Sequence, residues 1–155
     1  MRVSDAVQEP DEHLRFAVYL DELRRVRDAD EVDLVGLVLT DADQSMAQSA
    51  VLRHLDRRAA DLCLEPSYPS WAESMQLVVL SRPFLTRRLR EWSLLRAIAL
   101  EQPWHQGDLL ASSDWLQLKA AAASSTKAME ILAAGGRTKR IRNTARTGLR
   151  QRSDH

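Results

Sequence analysis

The chain has 155 residues, a formal net charge of zero, 45% hydrophobic residues and 28% charged residues. This length suits one domain, and this composition is typical of a globular protein rather than a disordered one. No apolar run approaches the roughly 20 residues of a membrane-spanning helix, so we expect no membrane partner. Cys63 is the single cysteine, which excludes an intrachain disulfide and favours a reducing, cytoplasmic location.

The charges are unevenly distributed along the chain. Residues 1–47 carry five basic and twelve acidic side chains, whereas residues 127–155 carry eight basic and two acidic ones. The stretch between them is nearly balanced, with nine basic and eight acidic side chains. Such asymmetry indicates either a polar partner or attraction between the two ends of the chain.

The N-terminal part predicts a flexible tail followed by an amphipathic helix. Residues 1–9 have neither a secretory signal nor a clear apolar period, and we expect them to form the tail. Pro10, Asp11 and Glu12 are typical of a helix start, because proline suits the first turn and acids suit the positive end of the helix dipole. Apolar side chains at helical spacing predict the buried face of this helix: Leu14, Val18, Leu20 and Leu23.

The rest of the chain reads as a series of helices separated by short polar turns. The stretch "CLEPSYPS" (residues 63–70) is the clearest internal connection, and residues 83–101 form the strongest predicted helix, with Leu85, Leu89 and Trp92 on one face. Gly135-Gly136 is a predicted helix stop. Serine and aspartate residues are the predicted helix caps: Asp41 or Asp43, Ser113 or Asp114, and Ser124 or Ser125.

Four stretches share one layout, which consists of an apolar helix end, a short polar turn, and a second helix with apolar or small residues. They are "LVLTDADQSMAQSAVLRHL", "LVVLSRPFLTRRLREWSLL", "LLASSDWLQLKAAAA" and "ILAAGGRTKRIRNTARTGL". Aligned, they match at two positions of the second helix: Met46, Leu85, Leu116 and Ile141 at the first, and Ala50, Leu89, Ala120 and Ala145 at the next. This layout resembles the HEAT-repeat family, in which the turn carries Asp or Pro and the second helix reads apolar-x-x-x-Ala. The spacings of 39, 31 and 25 residues are shorter and less regular than in that family.

The resemblance covers most of residues 30–150 and implies stacked helical hairpins. Together with the helix periodicity, it predicts a single all-α domain over residues 10–152. We expect seven or eight helices in antiparallel hairpins, arranged as a short HEAT-like solenoid or an irregular bundle.

No motif with established chemistry is complete in this chain. The stretch "DADQS" begins like a calcium loop, but Met46 and Leu52 replace the glycine and glutamate that such a loop requires. "SSTK" matches the serine-x-x-lysine pattern without its partner motifs, and a helix cap explains it. The four histidines have no metal-ligand spacing, and no glycine-rich phosphate loop is present. The sequence therefore predicts a non-enzymatic protein without metal or cofactor.

The final predicted helix, residues 137–152, carries seven basic side chains and no acidic one. At about 100° per residue, Ile141, Ala145 and Leu149 form a narrow apolar stripe. We define the basic ridge as the four cations beside this stripe: Lys139, Arg142, Arg146 and Arg150. Two interpretations stay open: the solvated face of a terminal helix, or a ridge spaced to meet phosphates or an acidic partner.

Other side chains are candidates for partner contact. In HEAT-like arrays the second helix of each hairpin lines the concave binding side, which by resemblance extends the basic surface to Arg87 and Arg88. Trp71 and Trp104 flank loops, and we expect them to be exposed and to contact a partner. The favoured function is a protein–protein interaction module, an adaptor or scaffold; the alternative is binding of a nucleic-acid backbone through the basic helix.

Overall fold

The computed structural model describes residues 2–123 and 125–153, with side chains from Asp11 onward. Over these residues the chain is all-α, as predicted, with no β-strand and with nine α-helices, one more than the upper number expected. They are α1 (Arg2–Arg25), α2 (Glu31–Val38), α3 (Gln44–Leu62), α4 (Tyr68–Val78), α5 (Pro83–Ala99), α6 (Gln106–Ala111), α7 (Asp114–Ala121), α8 (Thr126–Gly135) and α9 (Lys139–Ser153), with a short 3-10 helix at Asp28–Asp30. The first helix thus begins ahead of the predicted start at Pro10, and the flexibility of residues 1–9 stays a prediction.

The chain forms two compact units, Met1–Leu89 and Arg90–His155, and α5 contributes to both. In the first unit α1 packs on α3, and α2 packs on α4. In the second unit α8 packs on both α7 and α9, and α7 also packs on α9. The single domain predicted over residues 10–152 stays a prediction.

The face that α1 buries differs from the predicted one. Leu23 is buried as expected, but Leu14 and Val18 are 63% and 50% exposed. Tyr19 instead points toward the α2–α3 turn, where its hydroxyl donates a hydrogen bond of 2.8 Å to Asp41. The spacing of apolar residues predicted a helix correctly. Which face of α1 is buried depends on where α3 packs, and the apolar residues alone do not determine it.

The pattern aligned across the four stretches corresponds to buried positions. All eight aligned residues are buried in the structure: Met46, Leu85, Leu116 and Ile141 at the first position, and Ala50, Leu89, Ala120 and Ala145 at the second. Leu89 is fully buried and Trp92 is 6% exposed, as the helix period of residues 83–101 predicted. The alignment therefore identified core positions correctly, and the repeat relationship itself stays a prediction.

Local signals placed most helix ends correctly. The side chain of Asp43 accepts a hydrogen bond from the backbone N–H of Met46, and Ser113 and Ser125 cap α7 and α8 in the same way. Ser124, the alternative cap, lies outside the described residues. Gly136 follows α8, but its φ of −57° is not left-handed. A glycine is needed there because a Cβ atom would lie 2.6 Å from the Leu132 carbonyl oxygen.

Candidate functional site

Two members of the basic ridge form hydrogen bonds that stabilise the end of α8. The last carbonyl groups of a helix lack intrahelical partners. Arg142 Nη1 donates to the Gly136 carbonyl oxygen at 2.8 Å, and Arg146 Nη2 donates to the Ala133 carbonyl oxygen at 3.1 Å. These cations therefore act as C-terminal caps of α8, a role that the sequence analysis did not anticipate.

The other two members of the basic ridge, Lys139 and Arg150, are exposed. Arg150 Nη2 donates to the hydroxyl of Thr147 at 3.3 Å, one turn earlier in α9. The ridge thus contains two arginines that bond the α8 end, of which Arg142 is half-buried and Arg146 exposed, and two exposed cations that form no bond to α8.

A groove lies on the opposite flank of α9. We name it the α9 groove; it has a volume of about 910 Å³ and runs between α9 and residues Ala121–Ala123 at the end of α7. None of the lining residues described is acidic, and the wall opposite α9 is apolar, formed by Ala121–Ala123 and Met129. The α9 wall carries basic and neutral hydrogen-bonding side chains: Lys139, Arg140, Arg152, Asn143, Thr144, Thr147 and Gln151. Of this set, only Lys139 was a candidate on the basis of the sequence.

Gly148 brings the helices together at the base of the α9 groove. A Cβ atom at this position would lie 2.9 Å from Met129 Cε on α8 and 3.7 Å from the Ala121 carbonyl oxygen. The absence of a side chain therefore lets α9 approach α7 and α8 closely. Because the helices meet at this position, the polar flank of α9 lines the groove and its apolar stripe does not.

A second pocket adjoins the α9 groove and contains Trp104. It has a volume of about 550 Å³, and Arg152 lines both cavities. Arg152 Nη1 donates to Thr126 Oγ1 at 2.9 Å, and Lys127 Nζ lies 4.8 Å from the centre of the Trp104 ring. Trp104 is half-buried, so it is less exposed than the sequence analysis expected.

The prediction that Trp71 is exposed was wrong. Its side chain is buried, and its indole N–H lies 3.1 Å from both carboxylate oxygens of Glu31. Glu31 is 3% exposed and also accepts hydrogen bonds from His54 Nε2 at 2.7 Å and Arg58 Nε at 3.0 Å. Trp71 is therefore part of a buried polar network that joins α2, α3 and α4, and it does not present a surface to a partner.

The electrostatics of this network favour an ionised carboxylate. Burial alone raises the pKa of Glu31, but the hydrogen bonds from His54, Arg58 and Trp71, with the charge of Arg58, outweigh burial and hold that pKa at about 2, against 4.5 ordinarily. Arg57 Nη2 lies 3.0 Å from His54 Nδ1. Since a guanidinium only donates, Nδ1 accepts and Nε2–H donates to Glu31. His54 is itself buried within the first unit.

Arg87 and Arg88 have different environments on α5. Arg87 is exposed, whereas Arg88 is half-buried. The guanidinium of Arg88 lies 3.8 Å from an oxygen of Asp56 and 5.9 Å from the ring centre of Phe84. Arg88 thus has partners within the first unit. A positive face shared by these arginines and α9 stays a prediction.

The first unit exposes large apolar side chains on neighbouring segments. We define the apolar surface by four residues, with exposed fractions of 61% for Leu37, 69% for Leu77, 70% for Leu80 and 57% for Phe84. They belong to α2, the end of α4, the α4–α5 turn and the start of α5. A hydrogen bond of 2.8 Å from Arg82 Nη2 to the Leu39 carbonyl oxygen links this turn to the end of α2. This surface is not evident from the sequence, because helix periodicity alone assigns such leucines to a core.

The described residues contain no group of three His, Cys, Asp or Glu side chains that could hold a metal ion. None of the helices in the described part of the chain is long and apolar enough to cross a membrane. Comparisons of the chain with protein-family models, curated proteins and solved structures found no match.

Proposed function

We propose that this chain is a non-enzymatic, cytoplasmic protein-binding module, an adaptor or scaffold that contacts its partner through the apolar surface. The observation that carries this proposal is the grouping of Leu37, Leu77, Leu80 and Phe84 on adjoining segments of the first unit. Single exposed leucines are ordinary in globular proteins. A group of large apolar side chains that are each more than half exposed is typical of a protein–protein contact.

The energetics of burial support a protein partner. Complete burial of a leucine or phenylalanine side chain contributes about 1.5–3 kcal/mol, so four partly exposed ones supply a sizeable share of a binding free energy. Association must offset about 4–15 kcal/mol of lost rotational and translational freedom. The partner surface that fits is therefore one with its own large apolar side chains and a polar rim.

The stacked-hairpin interpretation is part of the same proposal. The buried positions that repeat in α3, α5, α7 and α9 are what a HEAT-like arrangement requires of its second helices. By this resemblance, the second helix of each hairpin lines the binding side. Phe84, at the start of α5, lies on such a second helix.

The experiment compares two tagged double variants as baits in a nuclease-treated lysate of the native host. Leu77→Gln with Leu80→Gln removes the two most exposed residues of the apolar surface, whereas Leu14→Gln with Leu64→Gln removes two leucines of similar exposure elsewhere in the unit. We expect the wild type and the Leu14/Leu64 variant to retain the same partner, identified by mass spectrometry, and the Leu77/Leu80 variant to lose it. Equal retention by both variants would contradict the proposal, provided that their circular dichroism spectra match.

A further inference from the structure

We propose that the α9 groove binds the sugar–phosphate backbone of single-stranded nucleic acid, a function separate from protein binding by the apolar surface. The proposal is based on the charge, the hydrogen-bonding groups and the position of an aromatic ring, all within the second unit. The proposed binding surface is the α9 groove and not the basic ridge, because two ridge arginines are bonded to the end of α8.

The charge along the α9 groove has one sign. Lys139 and Arg140 at one end and Arg152 at the other are exposed, and no acidic residue lines the groove among the residues described. Neither Lys139 nor Arg140 forms an ion pair with a residue in the described part of the chain. At about 1.5 Å per residue, Arg140 and Arg152 are roughly 18 Å apart along the helix, enough for several consecutive phosphates. A concave surface with cations of one sign concentrates anionic ligands.

The neutral side chains of the α9 groove suit a nucleic-acid backbone. Between the cations lie four hydrogen-bonding groups: Asn143, Thr144, Thr147 and Gln151. Such side chains, with lysine and arginine, make most contacts to phosphate and sugar oxygens in protein–nucleic acid complexes. A protein interface would instead have large apolar or aromatic anchors at its centre. A membrane is also disfavoured, because the apolar residues Ile141 and Ala145 are buried in the protein.

The adjoining pocket favours a single strand over a duplex. Arg152 lines both cavities, so a backbone that leaves the α9 groove at Arg152 reaches the pocket of Trp104. Unpaired bases stack on aromatic rings, which the bases of an intact duplex cannot do. Lys127 Nζ lies over the Trp104 ring, 4.8 Å from its centre, so a base that stacks on this face displaces Lys127. The pocket lining also includes the acidic Glu101.

Two triple variants of the same helix test the proposal. The groove variant carries Lys139→Gln, Arg140→Gln and Arg152→Gln; the ridge variant carries Arg142→Gln, Arg146→Gln and Arg150→Gln. Each removes three positive charges, so the pair separates a local site from a general effect of net charge. The probe is a fluorescein-labelled single-stranded oligonucleotide of mixed sequence, about 20 nucleotides long. Its affinity is measured by fluorescence anisotropy at several salt concentrations between about 50 and 200 mM.

We expect the groove variant to bind on the order of 10- to 100-fold more weakly at the lowest salt. The slope of log affinity against log salt should flatten by about 2, since each lost contact with a single-stranded phosphate contributes about 0.7. The ridge variant should keep the wild-type slope. If it does not fold, Arg150→Gln is combined with Arg53→Gln and Arg90→Gln, which again removes three positive charges, because all three side chains are exposed and lie outside the α9 groove.

A gain-of-charge variant completes the experiment. Gln151→Arg adds a cation on an exposed position of the α9 groove and should steepen the salt slope by about 0.7. An unlabelled duplex of the same sequence should compete less well than the unlabelled single strand. The proposal is overturned if the wild type does not bind the oligonucleotide saturably, if the groove variant keeps the wild-type affinity and slope, or if the duplex competes better.

Discussion

Glu31→Gln is expected to destabilise the protein in a strongly pH-dependent way. The carboxylate accepts hydrogen bonds from His54, Arg58 and Trp71 and is 3% exposed, and its pKa is about 2 instead of 4.5. A difference of about 2.5 units, at about 1.36 kcal/mol per unit, corresponds to roughly 3 kcal/mol of stability. Because the folded-state pKa is the lower one, this contribution is complete above about pH 5 and is lost as the pH falls toward 2.

The assay is urea unfolding of the wild type and the variant at several pH values, followed by circular dichroism. We expect the difference in unfolding free energy to be about 3 kcal/mol at pH 7 and to shrink below about pH 4, because Glu31 becomes protonated in the unfolded chain while the folded carboxylate, with its pKa of about 2, stays ionised. Asp28→Asn is the matched control, because Asp28 also pairs with Arg58 but its side chain is 90% exposed. That variant should change stability by less than about 1 kcal/mol. A difference for Glu31→Gln that is independent of pH would refute the reasoning.

Five further substitutions test the packing by thermal or urea unfolding. Leu89→Ala and Trp92→Ala should each cost about 2–5 kcal/mol, since both side chains are buried, and an unchanged midpoint would mean that this face of α5 is not packed. Gly136→Ala should cost roughly 1–3 kcal/mol, because its Cβ would lie 2.6 Å from a carbonyl oxygen, whereas Gly107→Ala, with no atom within 4 Å, should be neutral or slightly stabilising. Arg142→Gln should cost about 1–2 kcal/mol through the lost hydrogen bond to Gly136, and equal stability would contradict the capping role.

The sequence predicted those features that depend on neighbouring residues. Asp43, Ser113 and Ser125 cap helices as expected, because a cap is formed by a side chain and a backbone N–H only two or three residues later. The apolar period of residues 83–101 likewise gave the correct buried face of α5. Such signals are local and need no knowledge of which helices meet.

Features that depend on helix pairing were not predictable from the sequence. Trp71 and His54 are buried because Glu31 lies between them in the fold, 40 and 23 residues away along the chain. The periodicity of α9 placed Arg142 and Arg146 on one ridge, but only the packing of α9 on α8 brings them to unpaired carbonyl groups. The α9 groove depends on the same packing, which explains why Arg140 and Arg152 were missed.

If the apolar surface binds a protein partner and the α9 groove binds a nucleic-acid backbone, the most direct test measures both ligands with both variants. The dissociation constants of the partner captured from the lysate and of the labelled oligonucleotide are determined for the Leu77/Leu80 variant and for the groove variant. We predict that the first loses only the protein partner and the second loses only the oligonucleotide. Loss of the same ligand by both variants, or of neither ligand by either, would contradict the account.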